Sequence, residues 1–143
     1  MAKIDGAKIR DKGRKTGYEK SQTITKTVKG KKVKITPAKS QRDRNRKDLE
    51  ENGFAVGLLE TEIEGDETKL PPGKYHLWAE RDPEEGWNVH AVDEEGNVKG
   101  KAIRVEVTEY KGEPRKGKIS EEGWCIRWCW RWWWGCWCFW FCW

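Results

Sequence analysis

The chain reads as all-β: a small antiparallel β-sandwich with a basic N-terminal arm and an aromatic, Cys-rich C-terminal tail. Three observations predict it. Between residues 21 and 110, short runs rich in Val, Ile, Thr, Tyr and Trp alternate apolar with polar positions. Turn signals of Gly, Pro, Asn and Asp separate those runs at intervals of about 8–12 residues, the spacing of sandwiches and barrels. No amphipathic helical pattern lies between them, which argues against a parallel α/β sheet.

Residues 1–20 carry basic side chains without sustained periodicity, and Gly6, Gly13 and Gly17 interrupt any helix. They are expected to form an arm. From Ser21 the run SQTITKTV suits a strand, with Ile24 and Val28 on one face. Lys29-Gly30-Lys31-Lys32 makes a hairpin turn into a partner strand that places Val33 and Ile35 in phase. Pro37 ends that strand because proline cannot donate to a ladder. Residues 38–53 offer only Leu49 as an apolar anchor and predict a long loop or a short exposed helix closed by Gly53. Phe54 to Ile63 is the most apolar run before the tail and predicts a buried strand, with Leu59, Thr61 and Ile63 pointing one way.

Pro71-Pro72-Gly73 leads into the hairpin around which the body is organised. Tyr75, Leu77 and Ala79 alternate with His76, Trp78 and Glu80. In the second strand Trp87, Val89 and Ala91 alternate with Asn88, His90 and Val92. Tyr75, Leu77, Trp87 and Val89 are the expected core. If Ala79 faces Trp87, His76 faces His90 and Trp78 faces Asn88. The segment DEEGN turns the chain again, and VKGKAIRVEVTEY completes a meander with Ile103, Val105 and Val107 on one face. The domain plan is then an arm at 1–20, a sandwich at 21–110, a charged linker at 111–123 and a tail at 124–143.

The run Leu70-Pro71-Pro72-Gly73-Lys74-Tyr75-His76-Leu77-Trp78, followed by Trp87, resembles a hairpin of bacterial extracytoplasmic immunoglobulin-like β-sandwich modules, which read Leu-Pro-x-Gly-x-Tyr-x-Leu before a tryptophan-led strand. The resemblance covers about 23 residues. It implies a sandwich in the cell envelope and no catalytic residues. The N-terminus MAKIDGAKIR shows no apolar signal-peptide region, while an extracellular or envelope setting is favoured by the resemblance.

Charge divides the 143 residues unevenly. Residues 1–48 hold 17 Lys/Arg against 5 Asp/Glu, a net +12, whereas residues 49–123 hold 10 against 19, a net −9. A basic arm can meet phosphate, an anionic surface or the acidic body of another copy, so a homo-oligomer or filament is one expectation and a membrane surface another. Arg42, Arg44 and Arg46 are candidate polyanion contacts. Nucleic acid is disfavoured, because stacking aromatics are scarce there and no helix-turn-helix or zinc-finger pattern occurs.

The outer face of the hairpin, His76, Trp78, Asn88 and His90, is a candidate ligand patch, since an exposed aromatic among polar neighbours can stack on a sugar or seat a partner chain. Two histidines alone fall short of the three or four ligands a tetrahedral zinc needs, so no metal site and no cofactor are expected. No Ser-His-Asp grammar, nucleophile elbow or phosphate loop appears, so no catalytic residue, enzymatic activity or small-molecule substrate is assigned.

The tail WCIRWCWRWWWGCWCFWFCW holds nine Trp and all five Cys of the chain. Trp124, Arg127, Trp128, Arg131, Trp132, Trp133 and Trp134 suit a membrane-interface anchor or an assembly contact better than a span, because Trp and Arg favour the interface. A disulfide-linked tail leaves one cysteine over, and Cys spacings of 4, 7, 2 and 4 give no paired C-x-x-C knuckles. A Val- or Gly-rich reading frame shifted by one base is a further account of such a Trp/Cys run. The expected function is a non-enzymatic structural or binding module, with a peripheral membrane-surface or polyanion binder as the alternative.

Overall fold

The computed structural model describes residues 5–39, 41, 44–63, 70–109, 118–122, 125–131 and 135–143. The fold is all-β and antiparallel, as the alternation predicts. The elements are α1 (Gly6–Thr16), β1 (Ile24–Val28), β2 (Lys31–Pro37), α2 (Arg46–Asn52), β3 (Phe54–Thr61), β4 (Gly73–Asp82) and β5 (Gly86–Asp93). They continue with β6 (Val98–Lys101), β7 (Arg104–Glu109), β8 (Lys118–Glu122), β9 (Cys125–Arg131) and β10 (Gly135–Cys142). The first sheet is a meander in the order β1-β2-β3-β4-β5-β6, and the second has the order β7-β10-β9-β8. These nearest-neighbour connections in the first sheet lack the Greek-key crossing of an immunoglobulin sandwich.

The chain leaves the first sheet between two consecutive residues. The Ala102 N–H donates to Val89 O at 2.8 Å, within the first sheet, and the Ile103 N–H donates to Trp140 O at 3.0 Å, within the second. The run expected to complete one meander is therefore split between two sheets.

The main core lies between the sheets. The first sheet contributes Val33, Ile35, Phe54, Leu59, Tyr75, Leu77 and Val89; the second contributes Ile126, Trp128, Trp137, Phe139 and Phe141. Trp137 meets Phe54 and Trp87 edge-on, with ring centroids 5.4 and 5.1 Å apart, the orientation that opposes ring edge to ring face. Gly57 sits where β3 shifts register, and a Cβ there would strike both the Trp128 ring and the Thr36 carbonyl oxygen. The tail is thus one wall of the core rather than an appendage. Its apolar side chains at alternate positions of β9 and β10 face inward, and the first sheet would have an uncovered apolar face without them.

The arm also differs from expectation. Residues 6–16 form α1, capped by Asp5, whose carboxylate accepts from the Lys8 N–H at 3.1 Å. Gly6 and Gly13 do not break it; they let it approach. A Cβ on Gly6 would collide with the Gly96 carbonyl, and one on Gly13 would lie 2.7 Å from the Tyr18 hydroxyl. Tertiary contact supplies what helix propensity lacks. The helix covers the outer face of the first sheet, where Ile9, Ala38, Ala55, Trp78 and Val92 form a second small core flanked by Tyr18.

Helix α2 realises the short-helix option, with Asn45 as its cap and Gly53 at its end. Its one apolar anchor, Leu49, is fully buried in the main core. In the linker, β8 pairs along β9, with Ile119 opposite Trp128.

Candidate functional site

The candidate ligand patch lies on the β4–β5 hairpin. The parity of the strands is as expected, with Tyr75, Leu77, Val89 and Ala91 inward. The register is two residues away from expectation: Ala79 faces Val89, Trp78 faces His90, His76 faces Val92 and Asn88 faces Glu80. The strands run further into the connection, to Asp82 opposite Gly86, because the Asp82 carboxylate accepts from the N–H groups of Glu84 and Glu85 and closes a tighter turn.

The patch is not open. His76 is 3 %, Trp78 5 % and His90 8 % exposed, and Asn88 is half-buried. Helix α1 is the reason: Lys12 Nζ stands 5.7 Å from the Trp78 ring centroid, over its face, in place of a ligand. Sequence periodicity could not show this, because α1 lacks an apolar stripe wide enough to announce a packed helix.

Beneath α1, His76 is held on both ring nitrogens. Nε2 lies 2.9 Å from Glu94 Oε1, and Nδ1 bonds the Tyr18 hydroxyl. A carboxylate only accepts, so Nε2 carries the proton, and Nδ1 accepts from Tyr18. The other Glu94 oxygen accepts from Arg14 Nη2 at 2.7 Å, so the chain Tyr18–His76–Glu94–Arg14 returns to the helix. Burial lowers the His76 pKa, and Glu94 only partly restores it. Burial pushes the Tyr18 hydroxyl well above its ordinary value, with the Glu94 charge adding to that. Burial raises Glu94 too, but the hydrogen bond from Arg14 and the neighbouring His76 hold it below the ordinary carboxylate value. Each polar atom in this chain is occupied by another, which makes it a clamp for α1.

Of the proposed polyanion contacts, Arg42 lies outside the described residues. Arg44, just before the α2 cap, has Nε 2.6 Å from Asp48, and Arg46 on α2 has Nε 3.0 Å from Glu50, each partner four residues on. Hydrogen bonds from Arg44 and Asn52 lower the Asp48 pKa. Both arginines already have carboxylate partners on α2. Exposed lysines are found instead on α1, at Lys8, Lys12 and Lys15, and on the β1–β2 hairpin, at Lys31, Lys32 and Lys34.

The tail residues separate into three groups. Trp124, Trp132, Trp133 and Trp134 lie outside the described residues; Arg131 closes β9. Trp128, expected as an anchor, is instead 2 % exposed and seated on Gly57, so it has no surface to offer a lipid or a partner. Arg127 faces outward, its guanidinium 5.6 Å from the Trp140 ring centroid and its Nη2 3.6 Å from Cys138 Sγ. Among the described residues, no helix is long and apolar enough to cross a membrane.

Alternation puts the cysteines on the outer face of β9–β10. Cys125 pairs with Cys142 and Cys129 with Cys138 as cross-strand disulfides; Cys136 is free, as an odd count requires.

No family model, curated protein or solved structure matches this chain.

One grouping escaped the linear reading. Cys136 and Cys138 are two apart on β10, and Cys129 stands opposite Cys138 on β9, so three sulfurs converge. Knuckle spacing along the sequence gives no sign of it. The usable signal is the C-x-C pair itself, which in a strand places both thiols on one face.

Proposed function

We propose that this chain is a non-enzymatic β-sandwich module, structural or binding in role, of a cell-envelope or extracellular assembly. The observation that carries this reading is the pair of cross-strand disulfides bracing β9 and β10. Disulfides persist in oxidising compartments and are rare where thiols are kept reduced. Alkylating the protein as it is isolated from its native cells, followed by intact mass, tests the reading: one blocked thiol, at Cys136, is expected. Five blocked thiols on folded protein would reject it.

Self-association, where it occurs, fits the sheet edges better than the opposed charges of arm and body. Arg14 and Arg10 of α1 already bond Glu94 of the same chain. Among the described residues, strands β1, β6, β7 and β8 end their sheets, and such edges can take a further strand. Oligomers formed through them should survive high salt in sedimentation velocity, and dissociation by salt would return the case to arm–body charge pairing.

The exposed lysines of α1 and the β1–β2 hairpin favour a second reading, a binder of anionic surfaces. Cosedimentation with anionic but not neutral vesicles, lost on adding salt, would support it over the first.

A further inference from the structure

We propose that Cys129, Cys136 and Cys138 form a binding site for one thiophilic metal ion, of the Zn2+ class, when the Cys129–Cys138 disulfide is reduced. The inference goes beyond the module role and does not depend on the compartment assigned above. Three facts carry it. The three sulfurs lie within 4.8 Å of one another, on one outward face of two paired strands. Cys136 Sγ and Cys138 Sγ are 3.9 Å apart. A tetrahedral metal bound to sulfur at about 2.3 Å holds neighbouring sulfurs about 3.8 Å apart. Cys136 and Cys138 therefore already stand at the separation a shared ion requires, and opening the disulfide frees Cys138 and Cys129 together as ligands.

The surroundings suit the charge. Three thiolates on a dication leave one negative charge, and the Arg127 guanidinium, 3.6 Å from Cys138 Sγ, is placed to offset it. Cys129 and Cys138 are buried and Cys136 is half-buried, so Cys136 marks the side from which an ion and a water ligand would enter. Soft thiolates select Zn2+ or Cu+ over Mg2+ or Ca2+. The Cys125–Cys142 pair lies further along the ladder and does not belong to the cluster.

The chemistry balances in two steps. A dithiol reductant delivers two electrons and two protons to the Cys129–Cys138 bond and becomes its own cyclic disulfide. The three thiols then each release a proton to solvent as the ion binds, with no change in the metal's oxidation state. A small-molecule disulfide closes the site again: it accepts the two electrons of the Cys129 and Cys138 thiolates, takes two protons from solvent to become two thiols, and the ion leaves as the Cys129–Cys138 bond forms.

The test uses the full chain, reduced by a phosphine that is then removed without air, and titrated with Cd2+ or Co2+. Thiolate-to-metal charge-transfer absorption saturating at one equivalent is expected, displaced by Zn2+ and absent from the oxidised protein. Reduced Cys136→Ser should bind about 100-fold more weakly or worse, beyond the roughly 10–100-fold typical of losing an outer-shell partner. A Cys125→Ser/Cys142→Ser double variant should retain the band. If reduction alone loosens the fold, adding Zn2+ should restore the β signal. Overturning results are an equal band in Cys136→Ser, an equal band in strong urea, or no band and no recovery of structure with metal.

Discussion

His76 shows how one side chain links burial to pH. It is neutral in the fold because burial opposes its charge more strongly than Glu94 favours it, and burial followed by the Lys101 charge lowers His90 as well. In the unfolded chain both titrate near their ordinary value of 6.5. Above that pH neither state holds the extra protons, so their contribution is full. As pH falls below about 6.5 the unfolded chain takes up protons that the folded histidines refuse, and stability declines until the depressed folded pKa values are reached. Urea midpoints should be level from about pH 8 to 7 and drop toward pH 5, with a shallower drop in a His76→Gln/His90→Gln double variant. Tyr18→Phe strips Nδ1 of its donor and should cost roughly 1–3 kcal/mol, the penalty for an unsatisfied buried polar group. Gly57→Ala should cost about 1–3 kcal/mol in the same assay, because one clash is with backbone and the other with a fully buried ring.

Among elements, α1 is the most dependent on its neighbours. Its cap, Asp5, is worth about 1 kcal/mol, and Asp5→Ala should remove about that much. Its seat is more vulnerable: a side chain at Gly13 would push on Tyr18 Oη and His76. Gly13→Val should accelerate hydrogen exchange across residues 6–18 while β3, β4 and β5 remain protected, since their core lies on the opposite face. Uniform acceleration in both regions would show instead that helix and sandwich unfold as one unit. Helix α2 depends on Leu49, whose replacement by Ala should cost about 2–5 kcal/mol.

For the whole molecule, the decisive feature is that residues from both ends complete the body. Truncation at Gly123 would remove β9 and β10 and expose the inner faces of Phe54, Leu77 and Val89. The expected product is aggregated or molten chain, seen as loss of near-UV circular dichroism. A folded, soluble 1–123 fragment would contradict the shared core. Reduction is milder. The disulfides span 17 and 9 residues and are nested, so opening both should lower stability by roughly 3–4 kcal/mol rather than the sum of two independent loops.

The sequence by itself determined the period of the chain and thus its class. Alternation at Tyr75, Leu77, Val89 and Ala91 set the inward face, Gly53 closed the segment that carries Leu49, and an odd cysteine count left at least one cysteine without a partner in its own chain. Those features are local, or follow from counting. Only the tertiary structure decided the hairpin register, the switch of sheets after Ala102, the burial of Trp78 under α1 and of Trp128 on Gly57, and the meeting of Cys129 with Cys136 and Cys138. Each depends on surfaces distant in sequence fitting one another. A glycine read locally as a helix breaker becomes the point of closest approach, and a tryptophan read as an anchor becomes core. Periodicity specifies which face is apolar; it does not specify what will cover it.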